Sequence, residues 1–474
     1  MTDSGFGARR IYYNNFAGHL LNAYNPNMLY PGLPHRWTDE QWRSLIDMIA
    51  DFSFNAFEFW LEPRLFCREG MAADYGVEFA RQLSATMAHA HARGLQTILL
   101  AGLATVGGDW RTLCPNVPSE WAEVRHLWDA WTRILPEVDA VSIFPGDPGA
   151  CSRNGCTAET YIDRALEIAH LVRGNLPAAQ IELGTWGPPF FGWGNLQAPP
   201  GWQGEFLPEY QHTAWTFDRG RAERSMAHLL RRLPDFPEPT VVAINLGFNG
   251  NGDPDGEASA VAWARRIGAT HAIRTWDFSL TEGENAIVPH YRFERLFARR
   301  RLERASAPYC GGICFTMTPL LNQLSLYQSA QSFVDPDADP RALAERFYAR
   351  LFGPAGGQLV PLLPLFEVIP DWGNCVRLEV TRGQLHRRMQ ELADRLRGLA
   401  GSARPVPFLP TPEQYRQELL FHAELFAGLI TAGVVGLGLF IQSAAHDEAR
   451  AAQQQFPGDE VEALTWIEPL TGRS

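Results

Sequence analysis

Cysteine is scarce in this chain. Cys67, Cys114, Cys151, Cys156, Cys310, Cys314 and Cys375 are spread over 474 residues, an odd number with no CxxC pair. That scarcity excludes a disulfide-built extracellular scaffold and fits a reducing compartment. Cys151 and Cys156 could form a metal knuckle or a local disulfide, but two further ligands at suitable spacing are missing, so no metal is expected. Clustered Lys and Arg are absent too. The net charge is −12, and a nucleic-acid surface built on counterion release is excluded. Arg299 to Arg301 fall in a helical pattern and read as a solvated face. No GxGxxG or GxxxxGKS opens the first unit, and no HExxH, GxSxG or Cys-His pairing occurs, so no cofactor and no thiol nucleophile is expected. The first residues, MTDSGFGARRIYYNN, lack the apolar core of a signal peptide, and a cytoplasmic location is the expectation. One long apolar run exists, Leu425 to Ile441. Glu424 and His422 precede it, Gly is frequent and no basic cluster flanks it, so it reads as a buried helix or a subunit interface rather than a membrane span. A homodimer through the C-terminal helices is the corresponding expectation.

What is abundant is alternation. Strand-like runs ending in Gly, Pro, Asn or aromatic residues alternate with amphipathic helical runs eight times before about residue 330. The strands are read at Arg10 to Phe16, Asn55 to Glu62, Leu95 to Leu103, the run from Asp139, Gln180 to Trp186, Thr240 to Phe248, His271 to Phe278 and Gly311 to Thr318. Helices are read at Thr38 to Phe52, Gly76 to Arg93, Ser119 to Leu135, Thr157 to Leu176, Arg219 to Leu233 and Tyr291 to Ala305, the first with a Thr38/Gln41 capping box. This is the pattern of an α/β (β/α)8 TIM barrel, whose active site is built from the loops after the strands. The barrel is assigned to residues 1–333 and a C-terminal α-helical domain to 334–474. The join carries a sharp signal: Asp339 as N-cap, Pro340 at the first helical position and Gly353 as the stop.

The stretch from Asp139 to Cys156, DAVSIFPGDPGACSRNGC, is the fourth strand and its exit. The strand breaks at Pro145 and Gly146, leaving Asp147 where strand hands over to helix. Strand alternation puts Glu58, Trp60 and Glu62 on one face of the second strand, Glu182, Gly184 and Trp186 on one face of the fifth, and Ala243, Asn245 and Gly247 on one face of the sixth. The barrel axis therefore reads as polar and aromatic, which suits a hydroxyl-rich ligand. The 15 Trp, 12 Tyr and 28 Phe, read as concentrated near strand ends rather than in helices, offer rings that can stack on sugars, although buried rings are the commoner use.

Carboxylates near the strand ends are Glu62, Asp147 and Asp277. Glycosidic cleavage needs an acid for the leaving oxygen and a second group to support attack at the anomeric carbon. Asp147 is the first candidate, since Gly and Pro around it permit close approach of a ligand; its alternative is a helix cap or turn stabiliser. Asp277, after Trp276, is the candidate partner across the mouth, the alternative being an ion pair with Arg274. Glu62 serves either catalysis or a buried ion pair. Candidate sugar-binding groups are Asn14, Asn15, Trp60, Trp186, Trp193, Asn245, Asn249, Trp276 and Asn322. The loop NGNGDPDGE has the early spacing of a calcium loop, but Ala262 stands at the twelfth position, and no calcium is expected.

FPGDPGAC at 144 to 151 and TPLLNQLSLYQSAQSFVDPDADPRALAERFYARLFG at 318 to 353 carry a resemblance. Over most of residues 10 to 370 the chain resembles barrel glycoside hydrolases with a helical C-terminal appendage: β-N-acetylhexosaminidases of families 20 and 123 and α-glucuronidases of family 67. The resemblance implies an exo-acting glycosidase on a β-linked N-acetylhexosamine in an oligosaccharide or glycoside. The hexosaminidase pattern has an adjacent Asp-Glu pair after the fourth strand. Here Pro148 follows Asp147, so the acid comes from Asp277 or Glu62, or is Asp147 itself. The α-glucuronidase alternative draws on Arg64, Arg153 and Arg274 for a uronate; a non-catalytic carbohydrate-binding barrel is the alternative of another class.

Overall fold

The computed structural model describes residues 5–14, 38–61, 63, 65–107, 111–146, 151, 153–185, 196–197, 216–217, 219–244, 256–276, 293–315, 322–368, 382–399 and parts of 413–427. Eight parallel strands close into a barrel: β1 (Arg9–Asn14), β2 (Ala56–Trp60), β3 (Gln96–Gly102), β4 (Ala140–Phe144), β5 (Gln180–Gly184), β6 (Thr240–Ile244), β7 (Ala272–Thr275) and β8 (Tyr309–Phe315). Each strand pairs with the next in sequence, and β8 returns to β1 with Arg9 opposite Gly311 and Tyr13 opposite Phe315. Closure leaves no edge to protect. The chain is a (β/α)8 TIM barrel, as its alternation predicts.

Helices cover the outside and account for the continuous burial of β2, β4 and β6, which parallel strands covered on both faces require. They are α1 (Asp39–Asp51), α2 (Asp74–Ala92), α3 (Pro118–Ile134), α4 (Ala158–Asn175), α5 (Arg219–Arg232), α6 (Gly256–Gly268), α7 (Phe293–Ser306) and α8 (Gln323–Val334). The Thr38/Gln41 capping box forms: the Thr38 hydroxyl accepts from the Gln41 N–H at 3.2 Å, and Gln41 Oε1 accepts from the Thr38 N–H at 2.9 Å. The helix α6 escapes the sequence reading. Its first turn follows the Gly- and Asp-rich loop that resembles a calcium site, and that loop masks the start of the helical period.

The aromatic distribution corrects another expectation. Trp42, Trp121, Trp128, Trp131 and Trp263 all lie in helices and are buried in the main core, so most tryptophans among the described residues pack helices onto strands. Trp128 and Trp131 also donate their indole N–H groups to the carbonyls of Leu103 and Leu65, as buried indoles require.

Beyond the barrel, α9 (Pro340–Phe352) begins and ends as its sequence specifies. The Asp339 carboxylate accepts from the N–H groups of Arg341 and Ala342, and Gly353 leaves the helix at φ +76°. Phe347 meets Phe52 and Tyr327 at ring-centroid distances of 5.7 and 5.2 Å, fastening α9 to α1 and α8. A 3-10 segment (Pro354–Val368) and α10 (Arg382–Gly398) follow. Apart from Ala427, the apolar run 425–441 lies outside the described residues. Among the described residues no helix is long and apolar enough to cross a membrane.

Candidate active site

The register sorts the barrel interior. Tyr13 pairs with Glu58, Glu58 with Ile98, Ile98 with Ala140, Ser142 with Glu182, Glu182 with Val241, and Ala243 with Arg274. Residues paired in a parallel ladder share a face, so Glu58, Glu182 and Arg274 point inward together. The polar axis expected for β2 and β5 is there.

Its charges are paired. Arg274, fully buried, donates from Nε to Glu182 Oε2 at 2.7 Å and from Nη2 to Glu58 Oε1 at 2.8 Å, joining three strands across the barrel. Arg9 adds a second guanidinium, with Nη2 2.5 Å from Glu182 Oε1 and Nη1 donating to Gln180. With both carboxylates ionised, two cations and two carboxylates make the group neutral, and protonation of either leaves it with a net positive charge. The carboxylates differ in how well they are served. Burial pushes the Glu58 carboxyl up to about 7, against the pull of Arg274, and Glu182 adds repulsion. Burial opposes ionisation of Glu182 as well, but Arg274 and Arg9 together outweigh it and hold this carboxyl below the ordinary range.

An aromatic layer sits against this network. Arg274 Cζ lies 5.2 Å from the Trp276 ring centroid, Trp276 stacks on Phe144 at 5.1 Å and 14°, and Tyr13 meets Trp276 at 5.5 Å. Trp276 is 2 % exposed and Trp60 3 %, so both are enclosed rather than open platforms. Asn322 is fully buried immediately before α8, and Asn14 ends β1 opposite Phe59 in register.

The backbone next to each candidate carboxylate is held at the C-terminal end of its strand. Leu61, before Glu62, donates its N–H to the Leu100 carbonyl at 2.7 Å; Trp276, before Asp277, donates to the Ile244 carbonyl at 2.9 Å. Gly146, before Asp147, adopts φ +123°, which only glycine tolerates well, and its Cα would lie 3.3 Å from a Cβ built on Gly102. A glycine on each side is what lets the exit from β4 pack this closely on the end of β3. From outside, the Tyr161 hydroxyl of α4 donates to the carbonyls of Ile143 and Gly184, at 3.0 and 2.7 Å, tying the ends of β4 and β5 together.

Glu62, Asp147, Asp277, Asn15, Trp186, Trp193, Asn245 and Asn249 themselves lie outside the described residues, as does Arg64. The structure brings Trp276 together with Tyr13 and Phe144, which the sequence reading did not single out. It also shows that Arg274 serves Glu58 and Glu182, and that Arg153 is committed to Glu120 at 2.8 Å and to the Thr112 carbonyl at 2.9 Å. Both arginines of the uronate alternative that are described thus already have carboxylate partners. Arg9 was missed because it lies at the very start of β1, where a basic residue reads as solvent-facing.

No protein-family model and no curated protein matches the sequence. Solved structures share the fold. One is a variant of the O-GlcNAc hydrolase of Thermobaculum terrenum, 12% identical with a TM-score of 0.51, the match covering 96% of this chain and 90% of that one. Another is a GH138 enzyme targeting pectin rhamnogalacturonan II, 9% identical with a TM-score of 0.53, covering 94% of this chain and 60% of that one.

Proposed function

We propose that this chain is a glycoside hydrolase that removes a β-linked N-acetylhexosamine from the end of a glycan. The observation that carries the proposal is the exit from β4. In a closed parallel barrel, the C-terminal strand ends build the active site, and here Gly146, one residue before Asp147, packs against the end of β3 at Gly102. Asp277 and Glu62 likewise follow held residues at the ends of β7 and β2. Three carboxylates that follow strand ends in sequence would offer the acid and the second group that glycosidic cleavage needs.

In this reading Asp147 is the first catalytic carboxylate, as acid or as the group that orients the substrate's acetamido oxygen, with Asp277 as its partner and Glu62 in support. Trp60, Trp276 and Asn322, all enclosed, back the site rather than touch the sugar, and Asn14, Asn15, Trp186, Trp193, Asn245 and Asn249 bind it. The fold is shared with an O-GlcNAc hydrolase and with an enzyme that targets a pectin polysaccharide, which fits a glycan substrate; the choice of an N-acetylhexosamine rests on the resemblance of the sequence. The commitment of Arg274 and Arg153 to partners argues against a uronate substrate. A homodimer through the apolar run 425–441 belongs to the same proposal, and sizing chromatography reads it directly.

The test is release of nitrophenol from a panel of aryl glycosides by the full chain. Turnover of the N-acetyl-β-glucosaminide or N-acetyl-β-galactosaminide, with the α-glucuronide untouched, supports the reading. Turnover of the glucuronide alone overturns the substrate class. Glycan binding without turnover of any glycoside identifies a non-catalytic barrel.

A further inference from the structure

We infer that Cys114, Cys151 and Cys156 form a three-thiolate site for a soft d10 cation, zinc in the first instance, which clasps the loop after β3 to the loop after β4. The three sulfurs lie within 4.8 Å of one another, with Cys114 Sγ and Cys156 Sγ 3.6 Å apart. Zinc–sulfur bonds of about 2.3 Å in a tetrahedron set sulfurs about 3.8 Å apart, so the thiols already stand near ligand spacing. All three cysteines are buried, the most exposed of them at 5 %.

The loops are shaped around these sulfurs. Cys114 follows a small hairpin in which Thr105–Val106 pairs with Arg111–Thr112, and its N–H donates to Glu120 at 2.5 Å. From Arg153 to Cys156 the chain makes a tight reversal through two left-handed residues, Asn154 at φ +49° and Gly155 at φ +71°, closed by the Cys156 N–H on the Arg153 carbonyl at 3.0 Å. That reversal brings the second thiol back beside the first, as a metal knuckle requires. It also aims the Asn154 side-chain N–H at Cys114 Sγ, 3.4 Å away, a donor that favours the thiolate form. Asn116 in turn donates to the Asn154 carbonyl at 3.0 Å, holding the reversal against the β3 loop.

A disulfide would consume two sulfurs and leave the third. A cation uses all three, and sulfur-only donor sets select zinc and other thiophilic metals over magnesium or calcium. Three protein ligands leave the fourth position to a water or another small ligand. Asp147 lies four residues before Cys151, so the clasp would fix the loop that carries it.

The test measures metal in the full chain produced with zinc and purified under reducing conditions. The expected content is about one zinc per chain after gel filtration, and cobalt exchanged into the wild-type chain should show strong thiolate-to-cobalt charge-transfer absorption. Removing an outer-shell partner of a zinc site costs about 10- to 100-fold in affinity, so Cys114→Ser or Cys156→Ser should cut zinc affinity at least about tenfold. Cys67→Ser should leave it unchanged, since Cys67 lies outside the cluster and caps the short helix Arg68–Ala72 by accepting the Gly70 N–H, as a serine also can. Absence of zinc together with absence of the cobalt band in the wild-type chain overturns the proposal even where a variant fails to fold. So does a disulfide among these three residues in the purified chain, and copper or iron in place of zinc overturns the metal assignment. Because the readout is metal and not turnover, it stands or falls separately from the glycosidase reading.

Discussion

Arg274 and Glu58, 216 residues apart in sequence, meet at 2.8 Å inside the barrel with neither side chain exposed. Glu182 takes the other edge of the same guanidinium. One planar fork therefore sets the spacing of β2, β5 and β7 beneath the rim, and the strands carrying Glu62 and Asp277 into their loops are two of those three. Replacing Arg274 by Met leaves two carboxylates buried with one remaining cation. Breaking a buried network in this way costs about 3–5 kcal/mol, read as a lower midpoint in urea unfolding. Arg274→Lys should recover little, because a point charge cannot span both carboxylates as a fork does. Wild-type stability in both variants would show that the network is not structural.

Glu58 makes stability depend on pH in a defined direction. Its carboxyl is raised to about 7 in the fold by burial. Between the ordinary carboxylate value of about 4.3 and 7 the folded state binds the extra proton, so this contribution is fully present below the lower value and is lost as pH rises through the upper one. The span corresponds to about 3–4 kcal/mol at 1.36 kcal/mol per unit. Glu182 acts in the opposite sense, its lowered carboxyl favouring the fold above the ordinary value and ceasing to do so in more acidic solution. Urea midpoints from pH 4.5 to 7.5 should fall with pH, and Glu58→Gln should flatten that slope. A slope unchanged in the variant would remove Glu58 as its source.

Trp276 separates the ion network from the rim, stacked on Phe144 and lying over Arg274. Trp276→Ala opens a cavity in a packed layer and should cost about 3–5 kcal/mol, with Trp276→Phe costing less because a ring remains on Phe144. Thermal unfolding of the two variants checks the order. Equal loss would mean that the indole's stacking is not what holds the layer.

Tyr161 tests whether the outer helices support the rim. Its hydroxyl reaches the Ile143 and Gly184 carbonyls, the first of them one strand residue short of the exit toward Asp147. Tyr161→Phe leaves two buried carbonyls without this donor, at a cost of about 1–3 kcal/mol. On the proposed function, kcat should fall further than KM rises, since the loop it supports carries chemistry rather than ground-state binding. A rise in KM alone would place the β4 exit in substrate binding.

Local signals made most of the barrel legible. Thr38 with Gln41 and Asp339 with Pro340 mark helix starts within a few residues of sequence, and those starts are where they were read. Alternation along β2 and β5 placed Glu58 and Glu182 inside, because period two is a property of the strand alone. What neither residue could announce is its partner: Arg274 joins them only once the sheet has closed. The cysteines follow the same rule. Cys151 and Cys156 are neighbours in sequence and looked short of ligands, and the third sulfur arrives from Cys114, 42 residues before Cys156, on a different loop. Strand ends ran long in the reading because inward-facing aromatics such as Trp276 continue the apolar pattern past the last strand residue, Thr275.

The central claim, that the exit from β4 carries the chemistry, is tested most directly by the kcat/KM of Asp147→Asn on the aryl N-acetyl-β-hexosaminide that the wild type turns over, with unfolding midpoints measured alongside. Positioned acid–base groups contribute about 10²- to 10⁴-fold, so the account predicts a loss of that size with stability unchanged. Full activity in Asp147→Asn would contradict it.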